Sequence, residues 1–374
     1  MGMYDAERAL FDLRQGRSVY VTAADERGAL IASVDGLTAA ALETLRGEGQ
    51  LRLVVTRHRA TSMGLVPAAA VEGALGMSLS LNGEGPEQIL HLAMAKGRFS
   101  IDPRDVRAAT TVEVGGLALA RLGRLLPAVV SVTADPRDSV PLRDLIASGA
   151  TLSVTSAQIE EMARSVDVRV TQVSEGPVPL AEAEYARFVF FREAHGLLGH
   201  VAVLVGRQRD WPDPVPVRIH SACLTGDLFG SLRCDCGEQL RGSLRYFAGS
   251  GGGVLLYMGQ EGRDIGLANK LRAYTLQEHG LDTVDADGVL GFGADEREYV
   301  AAVAMLKALD VKRVRLLTNN PAKMEALRAG GIEVNDRRPL YGTLNRHNLP
   351  YVKAKLQRAG HWLEDMLSGT PPPK

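Results

Sequence analysis

The second half of the chain alternates buried-type strands with helices, and this alternation limits the fold more strongly than any other sequence feature. Residues 238–247 place apolar side chains on one helical face, and a glycine-rich run separates this helix from the apolar strand 254–257. A further helix is predicted over 296–309, followed by a strand over 314–318. The pattern predicts an α/β fold.

A helix start follows the last of these strands. Asn319-Asn320-Pro321 combines an N-cap residue with a proline at the first helical position, and Gly330-Gly331 ends the helix. A helix N-terminus that follows a strand favours anion binding, because its amide N–H groups are unpaired.

The first half predicts a separate α/β or α+β domain. Its β-branched runs predict strands and its Ala/Leu-rich runs predict helices; the strands are 19–22, 51–55 and 129–132, and the helices are 38–46, 87–95 and 157–163. The proline-rich run 176–179 is interpreted as the domain boundary, and 211–216 as a loop inside the second domain. Residues 370–374 are proline-rich and are expected to be a disordered tail.

Charge and composition exclude several classes of protein. The 374 residues carry 43 basic and 44 acidic side chains, a net charge of −1, so no overall field attracts nucleic acid or anionic lipid. No apolar run is long enough to span a membrane, and the N-terminus lacks a signal-peptide core. We therefore expect a cytoplasmic protein that binds neither nucleic acid nor membranes.

The three cysteines of the chain lie close together, at Cys223, Cys234 and Cys236. An odd number in one cluster argues against a disulfide framework and for metal ligation or thiol chemistry. Three protein ligands would leave the fourth position of a tetrahedral zinc open for water, as in catalytic sites, whereas His220 could close it as a structural site. The spacing of the cysteines leaves both the catalytic and the structural interpretation open. A redox role is less consistent with it, because redox motifs have two residues between the cysteines.

Several cationic residues beside glycine-rich or polar sequence indicate phosphate chemistry. They are Arg218, Arg233, Arg263, Arg272 and Lys323. The run 260–266 directly follows a buried strand, where open α/β sheets present ligand loops. Zinc together with arginines at strand ends predicts hydrolysis of a phosphorylated small molecule such as a nucleotide.

The same region closely resembles the signature of the GTP cyclohydrolase II family. The resemblance spans about residues 175–365 and rests on ordered runs, which are RIHSACLTGD at 218–227, GSLRCDCG at 230–237, QEGRDIGL at 260–267, NKLRAY at 269–274, DT at 282–283, GFGADER at 291–297 and LTNNP at 317–321, with Lys323. It implies opening of the imidazole ring of GTP with loss of formate and pyrophosphate, giving 2,5-diamino-6-ribosylamino-4(3H)-pyrimidinone 5′-phosphate, the first committed step of riboflavin biosynthesis.

The resemblance also implies roles for individual residues. Cys223, Cys234 and Cys236 would hold one zinc ion per subunit, whose bound water attacks C8 of the purine. Arg297 matches the nucleophile proposed for the α-phosphate and Asp295 its proton acceptor, although an electrostatic clamp on pyrophosphate is the rival interpretation of Arg297.

The remaining implied site residues contact GTP or complete the reaction. Tyr274 matches a tyrosine associated with completing both hydrolytic steps, and Mg²⁺ would accompany the phosphates of GTP. The GTP contacts would come from Arg218, Ile219, His220, Ser221, Ala222, Gln239, Glu261, Gly262, Arg263, Thr283, Thr318 and Lys323.

Two positions depart from the family pattern. Ala222 stands where many members carry Glu or Gln, and Gly259 stands where a basic residue is common. The first removes a polar group beside the first cysteine, so we expect base recognition there to differ in detail from that of those members.

The N-terminal half resembles a 3,4-dihydroxy-2-butanone 4-phosphate synthase domain that has lost its active-site residues. The acidic run that would bind Mg²⁺ is reduced to Asp25 and Glu26, and the His-Thr-Glu triplet is missing, with Thr111 and Glu113 nearby. We therefore predict a degenerate synthase-like domain at 1–172, a mixed-sheet GTP cyclohydrolase II domain at 175–367 and a tail at 368–374. The first domain would act as a scaffold for a homodimer.

Two other functions remain open at this stage. A paralogue could open the ring incompletely or act in another pathway such as pyrimidine breakdown. A non-catalytic nucleotide-binding scaffold could hold a structural zinc ion.

Overall fold

The computed structural model describes residues 2–24, 26–65, 74–164, 170–194, 198–363 and 366–367. They form two compact units, one of Met1–Ser165 with Ala268–Asp295 and the other of Val166–Leu267 with Glu296–Lys374. Each unit contains a seven-stranded sheet with helices, which confirms the predicted mixed α/β fold with two domains. Within the described part of the chain, no helix is both long and apolar enough to cross a membrane.

The first half of the chain alternates strands and helices throughout. Its elements are α1 (Gly2–Arg14), β1 (Val19–Ala23), β2 (Glu26–Ser33), α2 (Ala39–Glu48), β3 (Leu51–Thr56), α3 (Arg57–Ser62), β4 (Gly76–Ser80), α4 (Pro86–Met94), β5 (Val106–Ala108), α5 (Thr111–Leu122), β6 (Ala128–Thr133), α6 (Val140–Ala147), β7 (Leu152–Thr155) and α7 (Ser156–Ala163). All three strands and all three helices predicted here are confirmed, with small shifts at their ends.

The first sheet has the strand order β5-β4-β3-β6-β2-β1-β7. The β1–β7 pair is parallel and the others are antiparallel. Helix α5 begins at the N-cap Thr110 and packs against this sheet. Gly116 permits its close approach to β2, because a Cβ atom at this position would lie 2.8 Å from Cγ2 of Ile31.

The second half contains the elements that form the candidate site. They are β8 (Val170–Pro177), β9 (Ala186–Glu193), β10 (Gly199–Val205), β11 (Val215–Ser221), α8 (Leu224–Asp227), α9 (Cys236–Gly249), β12 (Gly253–Met258), α10 (Leu267–Glu278), α11 (Thr283–Val289), α12 (Val300–Ala308), β13 (Arg313–Leu317), α13 (Pro321–Ala329), β14 (Glu333–Arg338) and α14 (Leu349–Ala359).

The second sheet is mixed, as predicted, with the order β14-β13-β11-β12-β10-β9-β8. Strands β14, β13, β11 and β12 pair in parallel, and β12, β10, β9 and β8 pair antiparallel. One face of the sheet shares an apolar core with residues of α12 and α13. The parallel strands bring their carboxyl ends to one edge of the sheet.

The packing units do not coincide with the predicted domain ranges. Strand β8 pairs with β9 across residues 172–175, where the domain division was predicted. Segment 268–295 belongs to the first unit, where Asn269 Nδ2 donates to the carbonyl oxygen of Arg124 at 3.0 Å and Arg272 Nη2 lies 2.5 Å from Asp35 Oδ1. These contacts are distant in sequence, and local patterning does not encode them.

The two proline-rich runs have different outcomes. Pro177 ends β8, an edge strand of the described sheet, which accords with the expectation that this run forms no helix or central strand. The loop prediction for 211–216 is wrong at its end, because the central strand β11 begins at Val215 and Pro216 pairs with Arg315. A proline near the start of a strand removes a single N–H donor and has a φ angle compatible with β structure.

Helix α12 begins at Val300, later than the predicted start at 296. The side-chain amide of Gln260 donates to the carbonyl oxygen of Glu298, a group that a helix starting at 296 would pair within itself. The predicted tail 368–374 lies outside the described residues.

Candidate metal and nucleotide site

The carboxyl ends of β11, β12 and β13 gather most of the predicted site residues at one edge of the second sheet. Strand β11 lies between β12 and β13 and is parallel to both. Cys223 follows β11, the run 260–263 follows β12 and Thr318 follows β13. Ligand sites of open α/β sheets lie at this edge.

The three cysteine sulfur atoms form a compact group, all within 4.8 Å of one another. Cys223 Sγ and Cys234 Sγ are 3.6 Å apart. Sulfur ligands about 2.3 Å from a tetrahedral zinc ion would be roughly 3.8 Å apart, so the spacing fits this geometry. A Cβ atom on Gly226 would lie 2.6 Å from Cys234 Sγ, so only glycine leaves room for the sulfur atoms. The group could therefore hold a metal ion.

The thiols of the cysteine group favour their protonated form when no metal ion is bound. Hydrogen bonding to Cys223 is the main cause that raises the pKa of Cys234 to about 11. The pKa of Cys236 is also raised, first by hydrogen bonding to Cys223 and then by hydrogen bonding to Cys234. Adjacent thiolates repel one another, so the thiols ionise together only when a positive ion binds among them.

His220 does not join the cysteine group. In the described residues the group contains no histidine or carboxylate. The Nε2 atom of His220 lies 3.0 Å from Asp227 Oδ1, and its ring stacks on Tyr257 with centroids 5.6 Å apart. Burial is the main cause that lowers the pKa of His220. The alternative of a site closed by His220 is therefore not supported.

Asp227 connects the first cysteine to the strands behind it. Its Oδ2 atom accepts hydrogen bonds from the backbone N–H of Cys223 and from the hydroxyl of Tyr257, both at 2.9 Å. Burial, followed by the negative charge of Asp227, raises the pKa of Tyr257. The sequence analysis gave neither residue a role, although Asp227 stands in the signature run that contains Cys223.

A second buried chain of polar groups starts between the other two cysteines. Asp235 Oδ2 accepts from Gln239 Nε2, and Gln239 Oε1 accepts from Arg218 Nη2, both at 2.6 Å. Arg218 Nη1 donates to the carbonyl oxygen of Leu317 at 2.9 Å, and burial is the main cause that lowers the Arg218 pKa. This chain fixes a buried guanidinium beside the cysteine loop.

Several buried polar atoms near this edge have no hydrogen-bond partner among the described residues. They are Arg218 Nε, His220 Nδ1, Ser221 Oγ, Asp235 Oδ1 and Gln260 Oε1. Because buried polar atoms are rarely left unpaired, such a set indicates a site that a polar ligand or water completes.

The loop after β12 is tied to the cysteine loop. Glu261 Oε2 accepts from the backbone N–H of Leu224 at 2.6 Å, and Oε1 accepts from that of Gly262 at 3.0 Å. Gly262, Arg263 and Asp264 all have positive φ values of 61–75°. This left-handed run turns the chain sharply, and at two non-glycine residues it is strained.

Two cationic side chains lie near the same aromatic ring. Lys323 Nζ is 5.6 Å and the guanidinium of Arg297 6.0 Å from the ring centroid of Tyr299. Lys323 also donates to the carbonyl oxygen of Ile219 at 2.8 Å. Positive charge is thereby concentrated beside β11.

Comparison with known proteins identifies the family. A family model described as GTP cyclohydrolase II matches residues 171–339. Two proteins named GTP cyclohydrolase-2, from Xylella fastidiosa and Azospirillum brasilense, are each 40% identical over 368 residues, which cover 96% of this chain and 87% and 94% of those proteins. A riboflavin biosynthesis protein RibBA from Parabacteroides distasonis is 32% identical over 96% of this chain and 98% of its own length. This chain belongs to the GTP cyclohydrolase II family.

Membership of the GTP cyclohydrolase II family confirms that the chain is an enzyme and confirms the resemblance seen in the sequence. The relatives from Xylella fastidiosa and Azospirillum brasilense align over nearly the whole chain, so both share the first unit with it.

Three residues matched to the GTP cyclohydrolase II pattern lie in the other packing unit. Tyr274 is half-buried on α10, Thr283 begins α11 behind the N-cap Asp282, and Asp295 is exposed. All three belong to segment 268–295 of the first unit. Their roles remain predictions.

One departure from the GTP cyclohydrolase II pattern has a structural reason. A Cβ atom at Gly259 would lie 2.8 Å from the carbonyl oxygen of Gly199, so a larger residue does not fit here. Ala222, the other departure, donates its backbone N–H to the carbonyl oxygen of Met258 at 2.8 Å.

Proposed function

We propose that this enzyme opens the imidazole ring of GTP and releases formate and pyrophosphate, giving 2,5-diamino-6-ribosylamino-4(3H)-pyrimidinone 5′-phosphate for riboflavin biosynthesis. The observation that carries the proposal is the three-cysteine group beside a buried arginine at the ligand edge of the sheet. The names of the relatives support the substrate and the pathway.

We propose zinc as the metal, held by Cys223, Cys234 and Cys236. Thiolate ligands in tetrahedral spacing favour zinc. The engagement of His220 with Asp227 supports an open fourth position, which is the arrangement of catalytic zinc. Zinc bound there would supply Lewis-acid activation of a water molecule for attack at C8.

The protein's own side chains would bind and orient GTP. Positive charge for the phosphates of GTP would come from Lys323, Arg297 and Arg263. Mg²⁺ would accompany the same phosphates. The buried unpaired atoms of Arg218 and Ser221 suit polar atoms of the nucleotide. Arginines fixed before the substrate arrives stabilise developing charge without reorganising.

The roles of Arg297, Asp295 and Tyr274 follow from the family pattern. Arg297 would act on the α-phosphate with Asp295 as proton acceptor, and Tyr274 would support completion of both hydrolytic steps. The rival interpretation is that Arg297 is an electrostatic clamp on the departing pyrophosphate, and the nearby positive charge of Lys323 supports it.

We propose that residues 1–172 form a synthase-like domain that does not make 3,4-dihydroxy-2-butanone 4-phosphate and serves as the scaffold of a homodimer. Two of its candidate carboxylates, Glu26 and Glu113, bind neighbouring groups of the same domain. Glu26 accepts from the backbone N–H and hydroxyl of Thr111 at the start of α5. Buried Glu113 pairs with Arg107 at 2.8 Å and accepts from Ser78.

Mass spectrometry of the nucleotide product tests the proposed activity in zinc-loaded protein supplied with Mg²⁺. We expect the diaminopyrimidinone monophosphate together with formate and pyrophosphate. A product that retains the formyl group would indicate the paralogue, and unchanged GTP with zinc bound would indicate the scaffold. Either result would contradict the proposal.

A further inference from the structure

His200 is a buried histidine behind the site, and both of its ring nitrogen atoms have partners. It lies in β10, between β9 and β12, and its side chain is 0% exposed. Its Nδ1 atom is 3.0 Å from the backbone nitrogen of Gly259, and its Nε2 atom is 2.8 Å from Glu193 Oε1.

These partners determine where the imidazole proton is. A backbone N–H can only donate, so Nδ1 of His200 accepts from Gly259. The proton of the neutral ring is then on Nε2, which donates to the carboxylate of Glu193. Glu193 thus selects the tautomer that can receive the Gly259 N–H.

The hydrogen bond to Gly259 fixes the point at which the chain leaves β12. Gly259 also lies against the backbone of Gly199, where its missing Cβ atom leaves the necessary space. Both constraints act on one peptide unit, immediately before the run 260–263.

The next two residues, Gln260 and Glu261, connect Gly259 to other parts of the site. Gln260 bonds through its side-chain amide to the carbonyl oxygen of Glu298, next to Arg297. Glu261 bonds to the backbone of Leu224, next to Cys223. A shift of Gly259 would therefore displace both contacts of the loop, that of Gln260 with Glu298 and that of Glu261 with Leu224.

We propose that His200 is a positioning residue that holds the GTP-binding loop Gly259–Asp264 in its binding conformation through the backbone of Gly259, with Glu193 fixing its tautomer. His200 does not contact the substrate in this account. The role rests on the proposed function, because GTP is taken as the ligand of this loop.

Two substitutions test the contacts of the two ring nitrogen atoms of His200 separately. In His200→Asn the side-chain oxygen can take the place of Nδ1 and still accept from Gly259. In His200→Gln the amide reaches toward Glu193 and the acceptor for Gly259 is lost. Both variants lose similar buried volume, so a merely structural role predicts similar effects of the two.

The readouts are KM and kcat for GTP, and hydrogen exchange of the amides at 259–264. We expect His200→Gln to raise KM about tenfold with little change in kcat, since lost ground-state binding appears in KM. His200→Asn should stay close to wild type. Loop amides should exchange faster in His200→Gln than in His200→Asn.

Gly259→Ala tests the same peptide unit without changing His200, and should also raise KM and speed exchange of the loop. Equal KM values and equal exchange in the two His200 variants, or wild-type behaviour of Gly259→Ala, would overturn the inference. If wild-type protein does not consume GTP, the proposed function fails, and the exchange comparison still decides whether His200 holds the loop.

Discussion

Asp227 shows how much of the candidate metal site depends on a residue outside the cysteine group. Its carboxylate receives the backbone N–H of Cys223, the hydroxyl of Tyr257 and the ring of His220. Three chain segments are thereby held by one side chain. Hydrogen-bond partners of this kind orient metal ligands and affect metal affinity.

We predict that Asp227→Asn weakens zinc binding by about tenfold or more, because partners behind metal ligands typically contribute this much. Competition with a chromophoric chelator measures the affinity without relying on activity. Tyr257→Phe, which removes one donor and leaves the Cys223 contact, should have a smaller effect. Equal zinc affinities of Asp227→Asn and wild type would contradict the role assigned to Asp227.

The thiol pKa values predict how the stability of metal-free protein depends on pH. The pKa of Cys234 rises from 9.0 to about 11 in the folded protein, so folding favours the protonated thiol. The stability that this shift contributes is fully present below pH 9.0 and is lost as the pH rises toward about 11. Urea unfolding of metal-free protein across this range checks the prediction, and a flat stability curve would contradict it.

At the residue scale, the sequence identified the groups whose chemistry is distinctive. Three clustered thiols and Arg218 stand out because metals and phosphates select those side chains. The roles of Asp227 and His200 were not predicted, because each is defined by partners on other elements. Hydrogen bonds between distant segments leave no periodic signal in a sequence.

At the element scale, regular patterns predicted part of the helices and strands, and most of those predicted lie where expected with small shifts at their ends. The predictions were wrong where side chains from elsewhere intervene, as at the start of α12, where Gln260 takes the Glu298 carbonyl. Pro216 in β11 was a different error, since proline excludes only one ladder bond near a strand start.

Helix α5 gives a prediction about packing on the first sheet. Gly116→Ala would place a Cβ atom 2.8 Å from Ile31 Cγ2, and such overpacking should lower the free energy of unfolding by about 1–3 kcal/mol. Gly47→Ala, on α2 with open space around the site, should instead stabilise by about 0.5–1 kcal/mol, since alanine favours helix. Urea unfolding compares the two. Equal effects would contradict the close approach of α5 to β2.

At the scale of the whole molecule, the segment that carries Tyr274 and Thr283 depends on the first unit. Segment 268–295 packs there through contacts such as Arg272 with Asp35. The presence of two domains could be predicted from the sequence, although the packing units do not follow the predicted ranges. The packing of segment 268–295 with the first unit could not be predicted, because it depends on contacts between residues far apart in the chain.

A chain that starts at residue 166 should therefore lose the order of segment 268–295. We predict rapid tryptic cleavage within it, at sites that resist in the full chain, together with loss of GTP turnover. Mass mapping of the fragments gives the cleavage sites. Equal protection of the segment in both chains would contradict this dependence.

The central claim is that the cysteine site opens the purine ring at C8. GTP labelled with ¹³C at C8 tests it directly, with the products followed by NMR in wild type and Cys234→Ser. The account predicts that wild-type protein transfers the label to formate, with pyrophosphate released in equal amount, and that Cys234→Ser does not. Label that remains in the nucleotide, while wild-type protein holds zinc, would contradict the claim.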